Sequence, residues 1–151
     1  MKRIFLILLA VSLYGCVQPQ QALHNTPSRK VEVTINNATN AQVAPLIINN
    51  MINFGYNISR SNDYMIVFEK STDNVMASLF YGSRYDSQPN ARITYSLAQL
   101  NNNVRVVADF KLVTNPGSAY ERVTDFNESK ETINYQRMLN DIKTQFMQQT
   151  P

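Results

Sequence analysis

Few side chains in this 151-residue sequence could carry reactive chemistry. It contains one cysteine, Cys16, and one histidine, His24, which excludes an intramolecular disulfide and any metal site built from several Cys or His ligands. The four glycines form neither of the Gly-rich patterns that cradle phosphate groups. The aspartates that could act as acids or bases are scattered rather than grouped, at Asp63, Asp73, Asp86, Asp109 and Asp125. We therefore predict no catalytic residue, no metal and no cofactor, although folding could still bring two carboxylates together.

Two segments combine aromatic and basic side chains in a way that is typical of binding surfaces. The first contains Arg84 and Tyr85, and the second contains Tyr120 and Arg122. Tyrosine and arginine are frequent in binding hot spots because they bury a large area and keep a polar tip. We take these four residues as the candidate binding surface. The alternative is that the tyrosines of the first segment pack at the core edge while Arg84 pairs with Asp86 or with solvent.

The amino terminus has the pattern of an export signal. Lys2 and Arg3 precede an almost wholly apolar run over residues 4–13, and a basic start followed by about 7–15 apolar residues is typical of a signal peptide. The run is too short to cross a bilayer as a helix, which requires about 20 residues. We therefore predict a signal peptide over residues 1–15.

The signal ends in Leu13-Tyr14-Gly15-Cys16, which resembles the lipobox of bacterial lipoproteins. In that family the cysteine thiol receives a diacylglycerol, the chain is cleaved before the cysteine, and the new amino group is usually acylated. One acyl chain holds a protein marginally on a membrane, whereas two or three hold it stably. The resemblance implies lipidation of Cys16. The alternatives are a secreted protein with an incidental Cys16 and a protein anchored by a single span.

The residue after the cysteine and the charge balance bear on location and partners. Lipoproteins of enteric-type bacteria with Asp at that position tend to stay in the inner membrane, so Val17 implies transfer to the outer membrane with the domain facing the periplasm. Loss of Lys2 and Arg3 with the signal lowers the 14 basic residues to 12, against 11 acidic ones. Nucleic-acid binding requires a concentrated basic face, and the remaining basic residues are dispersed. We therefore predict membrane attachment through lipid, an envelope protein as partner, and no nucleic acid.

The mature chain divides into a tether and one domain. Residues 16–30 contain the lipidated cysteine and a segment rich in Gln and Pro without an apolar period, which predicts a flexible tether. His24 lies in this segment without partners in the local sequence, so we expect it to be solvated. Residues 31–151 are predicted to form the periplasmic domain.

Segments that alternate apolar and polar residues predict an antiparallel sheet in this domain. Two of them flank Asn101 and Asn102, and asparagine tolerates the left-handed backbone that tight turns require. The predicted strands cover residues 31–35, 56–60, 64–69, 92–97, 104–112 and 120–126. Residues 73–81 fit either a strand or a short helix, and we favour the helix.

Two helices are predicted to cover the apolar face of this sheet. The first is capped by Thr39 or Asn40 and ends at Gly55, and the second runs from its cap Ser129 to Gln148. The predicted buried stripe of the first contains Val43, Ile47, Met51 and Phe54, widened by Leu46, Ile48 and Ile52. That of the second contains Ile133, Met138, Leu139, Ile142 and Phe146. We expect a two-layer α+β sandwich in which an antiparallel sheet of about 4–6 strands packs against two main helices.

These features lead to one leading function and two alternatives. The leading hypothesis is a non-enzymatic lipoprotein whose domain binds a protein or another envelope component in an assembly or accessory role. The first alternative is a lipoprotein that binds a small ligand, a lipid or a glycan such as peptidoglycan in a groove. The second is an enzyme, which would require carboxylates from separate loops to converge in one cleft with displaced pKa values.

Overall fold

The alternating segments of the sequence pair into one antiparallel sheet in the computed structural model, which describes residues 24–71 and 89–149. The strands are β1 (Val31–Asn36), β2 (Asn57–Asn62), β3 (Met65–Ser71), β4 (Asn90–Leu100), β5 (Asn103–Thr114) and β6 (Arg122–Asp125). The helices are α1 (Asn40–Asn53) and α2 (Thr132–Gln149). The predicted α+β sandwich, with a sheet of this size and two main helices, is confirmed. Residues 73–81, predicted as a short helix, lie outside the described residues.

Strand β5 pairs with three other strands of the sheet. The strand order is β1-β5-β4-β3-β2, and each neighbouring pair is antiparallel. One side of β5 pairs with β4 along almost its whole length. The other side pairs first with β1, with Val31 opposite Ala108, and then with β6, with Lys111 opposite Asp125. Two short strands therefore share one edge of β5.

The core fills the space between one sheet face and the two helices. Alternate residues of β4 and β5 point into it, as the sequence pattern predicted. The residues of these strands in the core cluster are Ile93, Tyr95, Leu97, Val104, Val106, Ala108 and Phe110. The helices bury Val43, Ile47, Met51, Met138, Leu139 and Ile142. Each large side chain in this layer contributes about 1.5–3 kcal/mol through its burial.

The turns that the sequence predicted at Asn101 and Gly55 are present, and a third residue with positive φ is Asn115. Asn101 opens the β4–β5 turn with a φ of 54°, and Asn115 has a φ of 50°. Gly55 has a φ of 82° at the end of α1, and the Tyr56 N–H after it donates to the Met51 carbonyl at 3.0 Å. This wrap-back bond satisfies one of the carbonyls that a helix end leaves unpaired.

Some predicted positions on the helices are wrong. Helix α2 begins at Thr132 rather than at the predicted cap Ser129, because residues 129–131 form a turn whose Ser129 carbonyl accepts from the Thr132 N–H at 3.0 Å. Ile52 is 54% exposed, Phe54 40% and Ile133 42%. The predicted apolar stripes are wider than the arc of each helix that the sheet and the other helix cover.

Residues 24–30 pack against the domain. His24 is 5% exposed, and its Nε2 lies 2.7 Å from Oγ1 of Thr132 at the start of α2. The Thr26 hydroxyl donates to the Lys30 carbonyl at 2.6 Å. The expectation of a solvated His24 is wrong, because its partner lies 108 residues away in the chain. The packed structure therefore begins before residue 31, inside the predicted tether.

Candidate functional site

The four candidate binding residues do not form a described cluster. Arg84 and Tyr85 lie outside the described residues. Tyr120 is 78% exposed in the connection between β5 and β6, and Arg122 is exposed at the first position of β6, opposite Thr114. Tyr120 and Arg122 are thus close in sequence and accessible, but exposure alone defines no binding geometry.

A groove of about 550 Å³ runs between the two helices. We call it the interhelix groove. Its apolar lining consists of Phe54, Tyr135, Met138 and Ile142. Its polar lining consists of Asn50, Glu131, Asn134, Arg137, Asp141 and Gln145. An apolar floor with a mixed polar rim is the arrangement found in binding pockets and in interface cores.

Tyr135 is the centre of an aromatic cluster at one end of the interhelix groove. Its ring centroid lies 5.6 Å from that of Phe54 at an interplanar angle of 87°, and 4.9 Å from that of Phe110. Its hydroxyl lies 2.8 Å from the hydroxyl of Tyr56. Burial raises the pKa of both tyrosines. The cluster is therefore uncharged at neutral pH, and the Tyr135 side chain is fixed by its contacts with the two phenylalanine rings and by one hydrogen bond.

The end of α1 positions Phe54. Its N–H donates to the Asn50 carbonyl at 3.0 Å, and its carbonyl accepts from Nζ of Lys70 on β3 at 2.8 Å. The left-handed turn at Gly55 follows at once. Phe54 continues the apolar spacing of α1, which predicts a core position for its side chain. The structure instead leaves its ring at the edge of the interhelix groove.

Sequence reasoning did not identify the interhelix groove. Met138 and Ile142 were predicted as core residues of α2, and both are buried. Tyr135 and Arg137 carried no separate signal. The groove exists because α1 and α2, which are far apart in the chain, lie side by side on the sheet. A helical period reports which face of a helix is apolar but not which other helix stands beside it.

Two of the scattered aspartates do meet, on the sheet face opposite the helices. Nδ2 of Asn127 donates to Asp109 at 2.9 Å and to Asp125 at 3.0 Å. Nζ of Lys111 lies 2.7 Å from Asp125 and 3.5 Å from Asp109. Lys30 forms a further ion pair with Asp109. The cluster connects β5, β6 and the segment before β1.

The pKa values of these two carboxyl groups are displaced in the same direction. Burial acts to raise the pKa of Asp109, but hydrogen bonds from Lys30 and Asn127 outweigh it and leave the pKa below its usual value. The hydrogen bond from Lys111 leads the effects that lower the pKa of Asp125 to about 2. A catalytic acid and base require pKa values pushed apart. This pair therefore consists of two ionised carboxylates that form structural ion pairs.

Other ion pairs occupy the same sheet face. The guanidinium of Arg105 lies 2.7 Å from Glu32, and the Arg105 hydrogen bond is the main cause that lowers the pKa of Glu32. Arg92 lies 2.7 Å from Glu69 and 3.6 Å from Glu121. The charges on this face are thus largely paired within the chain.

Comparisons with known proteins add no relative to this geometry. No protein-family model matches the chain, and no curated protein matches it. Within residues 24–71 and 89–149, no three His, Cys, Asp or Glu side chains are grouped so that they could hold a metal ion. In the same part of the chain, neither helix is both long and apolar enough to cross a membrane.

Proposed function

We propose that this protein is a lipid-anchored, non-enzymatic lipoprotein of the bacterial envelope, attached through Cys16 to the outer membrane. Its periplasmic domain binds another envelope protein at the interhelix groove, in an assembly or accessory role. The anchoring part rests on the lipobox resemblance. The binding part rests on one observation: Phe54, Tyr135, Arg137 and Met138 meet at an accessible groove.

The chemistry of these side chains favours a protein partner. Aromatic residues, methionine and arginine are the types enriched in protein interfaces, and they supply most hot-spot energy. Phe54 is 40% exposed, so a partner could still remove a large apolar area from water. A groove between two helices fits the apolar side chains of a partner segment, as in helix-in-groove recognition.

The groove is also pre-organised. Tyr135 is fixed by the Tyr56 hydroxyl at 2.8 Å and by the ring of Phe110, and the backbone of Phe54 is hydrogen-bonded on both sides. Binding therefore orders few side chains, which reduces the entropic cost of association. The rim carries Arg137 and Asp141, whose opposite charges can orient a partner of mixed charge.

The binding test uses crosslinking in intact cells. A photo-crosslinking residue at Gln145, on the polar rim, should capture a specific envelope protein above the background of a non-acylated Cys16→Ala strain. With the purified partner, Phe54→Ala should weaken binding about tenfold or more, which corresponds to ~1.4 kcal/mol. Ile133→Ala is the matched control because Ile133 is equally exposed, at 42%, but does not line the groove.

Two outcomes would contradict the proposed binding role. One is that no protein is crosslinked above the Cys16→Ala background. The other is a partner whose affinity is lowered equally by Phe54→Ala and Ile133→Ala. The anchoring part has its own test: cells grown with a palmitate analogue should label the wild-type chain and not the Cys16→Ala variant.

A second candidate function is binding of a small apolar ligand or lipid in the same groove. Its volume of about 550 Å³ lies within the range of about 300–1,000 Å³ for ligand sites. Native mass spectrometry of protein extracted from its own cells separates the two possibilities. A bound small molecule that Phe54→Ala removes would favour this second function over a protein partner.

A further inference from the structure

A second groove lies at the start of α1 and is lined mainly by polar side chains. It has a volume of about 640 Å³, and we call it the hairpin groove because the β2–β3 hairpin forms one wall. Its lining residues are Asn40, Ala41, Ala44, Ser61, Asn62, Asp63, Tyr64 and Gln99. None of them lines the interhelix groove.

Tyr64 presents an exposed ring on a fixed backbone. Its side chain is among the most accessible of the large apolar residues in the described chain, since the residue is 68% exposed. Yet its N–H donates to Oδ1 of Asn62 at 3.0 Å, and its carbonyl accepts from the Leu97 N–H at 2.8 Å. An aromatic side chain on a rigid turn has only two torsions to lose, so binding to it costs little entropy.

Side-chain amides join the walls of the hairpin groove. Nδ2 of Asn40 donates to the Asp63 carbonyl at 3.1 Å, which ties the first residue of α1 to the hairpin turn. Oε1 of Gln99 accepts from the Asn40 N–H at 3.0 Å, while its Nε2 donates to the Ala38 carbonyl at 3.0 Å. The helix, the turn and strand β4 therefore form one hydrogen-bonded unit.

Asn40 also holds a buried acceptor that lacks a donor. Its Oδ1 has no hydrogen-bond partner in the described part of the chain. The amide cannot be turned to satisfy it, because Nδ2 faces two carbonyl oxygens, of Asp63 and Leu97. A buried acceptor left unpaired costs about 1–3 kcal/mol. Because this oxygen is shielded from solvent, a donor in the groove reaches it only if the Asn40 amide shifts.

We propose that the hairpin groove binds an uncharged oligosaccharide. A pyranose has an apolar C–H face and a polar rim of hydroxyls. The groove offers an aromatic ring for the first and polar side chains for the second. The Tyr64 ring provides the stacking platform, and the Asp63 carboxylate and Ser61 hydroxyl can bind sugar hydroxyls. This goes beyond the proposed protein-binding function because it assigns another site and another class of ligand.

The lining composition argues against other ligand classes. Among the residues that the structure describes, no Lys or Arg lines the groove, and phosphate recognition depends on such cations. Asp63 would repel an anionic ligand. A lipid tail would bury the polar side chains of the groove without offering them hydrogen bonds, which costs free energy. A saccharide can stack on the Tyr64 ring and form hydrogen bonds with the polar side chains at the same time.

The test is an NMR titration of the full mature chain with the tetramer of N-acetylglucosamine. We expect shift changes at Asp63, Tyr64 and the Asn40 side-chain amide. Tyr64→Ala should weaken binding at least tenfold, and Tyr64→Phe should retain most of it because the ring remains. Met147→Ala is the matched control, since Met147 is 66% exposed, close to the 68% of Tyr64, and lies outside the groove. Both Tyr64 substitutions should leave the Tm within a few degrees of wild type.

Three results would overturn the inference. The first is the absence of shift changes at millimolar saccharide. The second is equal binding by wild type and Tyr64→Ala. The third is that a Lys-rich peptide, but not the saccharide, shifts the same residues. Phe54→Ala should leave saccharide binding unchanged, so failure of the interhelix groove and failure of the hairpin groove are distinguishable.

Discussion

At the scale of single residues, Asn127 shows how one side chain can join several elements. It is 5% exposed, and its Oδ1 accepts from the Phe110 N–H of β5 at 3.0 Å. Its Nδ2 donates to Asp109 and Asp125. The side chain therefore lies between the ends of β1 and β6, where Phe110 of β5 has no paired strand residue on this edge.

We predict that Asn127→Ala lowers the free energy of unfolding by about 2–3 kcal/mol. The substitution leaves the buried Phe110 N–H without an acceptor and removes a donor from two carboxylates, and each such loss costs about 1–3 kcal/mol. Urea unfolding of both proteins gives the difference. Asn134→Ala on the exposed face of α2 is the control and should stay within about 0.5 kcal/mol. A loss below that limit in Asn127→Ala would contradict the bridging role.

The role of Asn127 could not be predicted from the sequence. Asp125 is a local partner, but Phe110 and Asp109 lie 17 and 18 residues earlier in the chain, beyond the reach of turn or capping patterns. The apolar residues of β4, such as Ile93 and Tyr95, could be predicted because a half-buried strand repeats every two residues. Polar partners have no such period, since they are chosen by which elements become neighbours. For the same reason Tyr64 and Gln99 carried no signal.

At the scale of elements, the two outer strands β1 and β2 are protected from pairing with another chain in different ways. The Glu32 N–H of β1 donates to Oε1 of Gln136 at 3.0 Å, and the Glu32 carbonyl accepts from Nε2 of Gln136 at 2.9 Å. A side-chain amide on α2 thus takes the place of a neighbouring strand. Strand β2 is exposed throughout and has an irregular register between Ile58 and Arg60. Both devices oppose edge-to-edge association.

We predict that Gln136→Ala destabilises β1 locally. Loss of both bonds leaves a largely buried backbone N–H and C=O of Glu32 without partners, which costs about 1–3 kcal/mol. Hydrogen exchange should show the Glu32 amide exchanging at least tenfold faster, with amides of β3 much less affected. Gln148→Ala, near the end of the same helix, is the control. Unchanged exchange at Glu32 would show that Gln136 does not secure this edge.

Element boundaries were predictable to different degrees. Strands β4 and β5 extend at most two residues beyond the predicted ranges at one end and three at the other. Their backbone pairing continues past the alternating segments, from Asn90 opposite Val113 to Leu100 opposite Asn103. The start of α2 was misplaced because serine is a common capping residue. The Ser129 hydroxyl instead donates to the Glu131 carboxylate, and the Ser129 carbonyl accepts from the Thr132 hydroxyl. Local preference was overridden by the burial of Thr132 beneath His24.

At the scale of the whole molecule, His24 fastens the amino-terminal segment to the domain. The Thr132 hydroxyl donates to the Ser129 carbonyl at 2.6 Å, so its oxygen accepts from His24, which must carry the proton on Nε2. Burial lowers the pKa of His24. The adjacent amino-terminal end of α2 carries a positive partial charge, which also disfavours an imidazolium.

We predict that acidification through the titration range of histidine destabilises the fold. Because the pKa of His24 is lower in the folded state than its ordinary value of 6.5, the unfolded chain takes up the proton first. The contribution of neutral His24 is therefore complete above about pH 6.5 and declines as the pH falls below it. The Tm measured between pH 8 and pH 5.5 should show this loss.

The chain provides a sharp control for this prediction. His24 is its single histidine, so no other imidazole titrates in the window. A His24→Gln variant keeps a donor for Thr132, and its Tm should vary much less over the same pH range. If the variant shows the same pH dependence as wild type, groups other than His24 are responsible.

The position of β5 between β4, β1 and β6 also governs the order in which the chain can fold. Glu32 and Arg105, which pair across β1 and β5, lie 73 residues apart. At a synthesis rate of about 5–20 residues per second, β1 waits roughly 4–15 seconds for its partner to be made. During that interval its apolar side chains Val31, Val33 and Ile35 have no sheet to join. Contacts of such long sequence separation also slow folding, so the apolar side chains of β1 stay exposed in the newly made chain until β5 emerges.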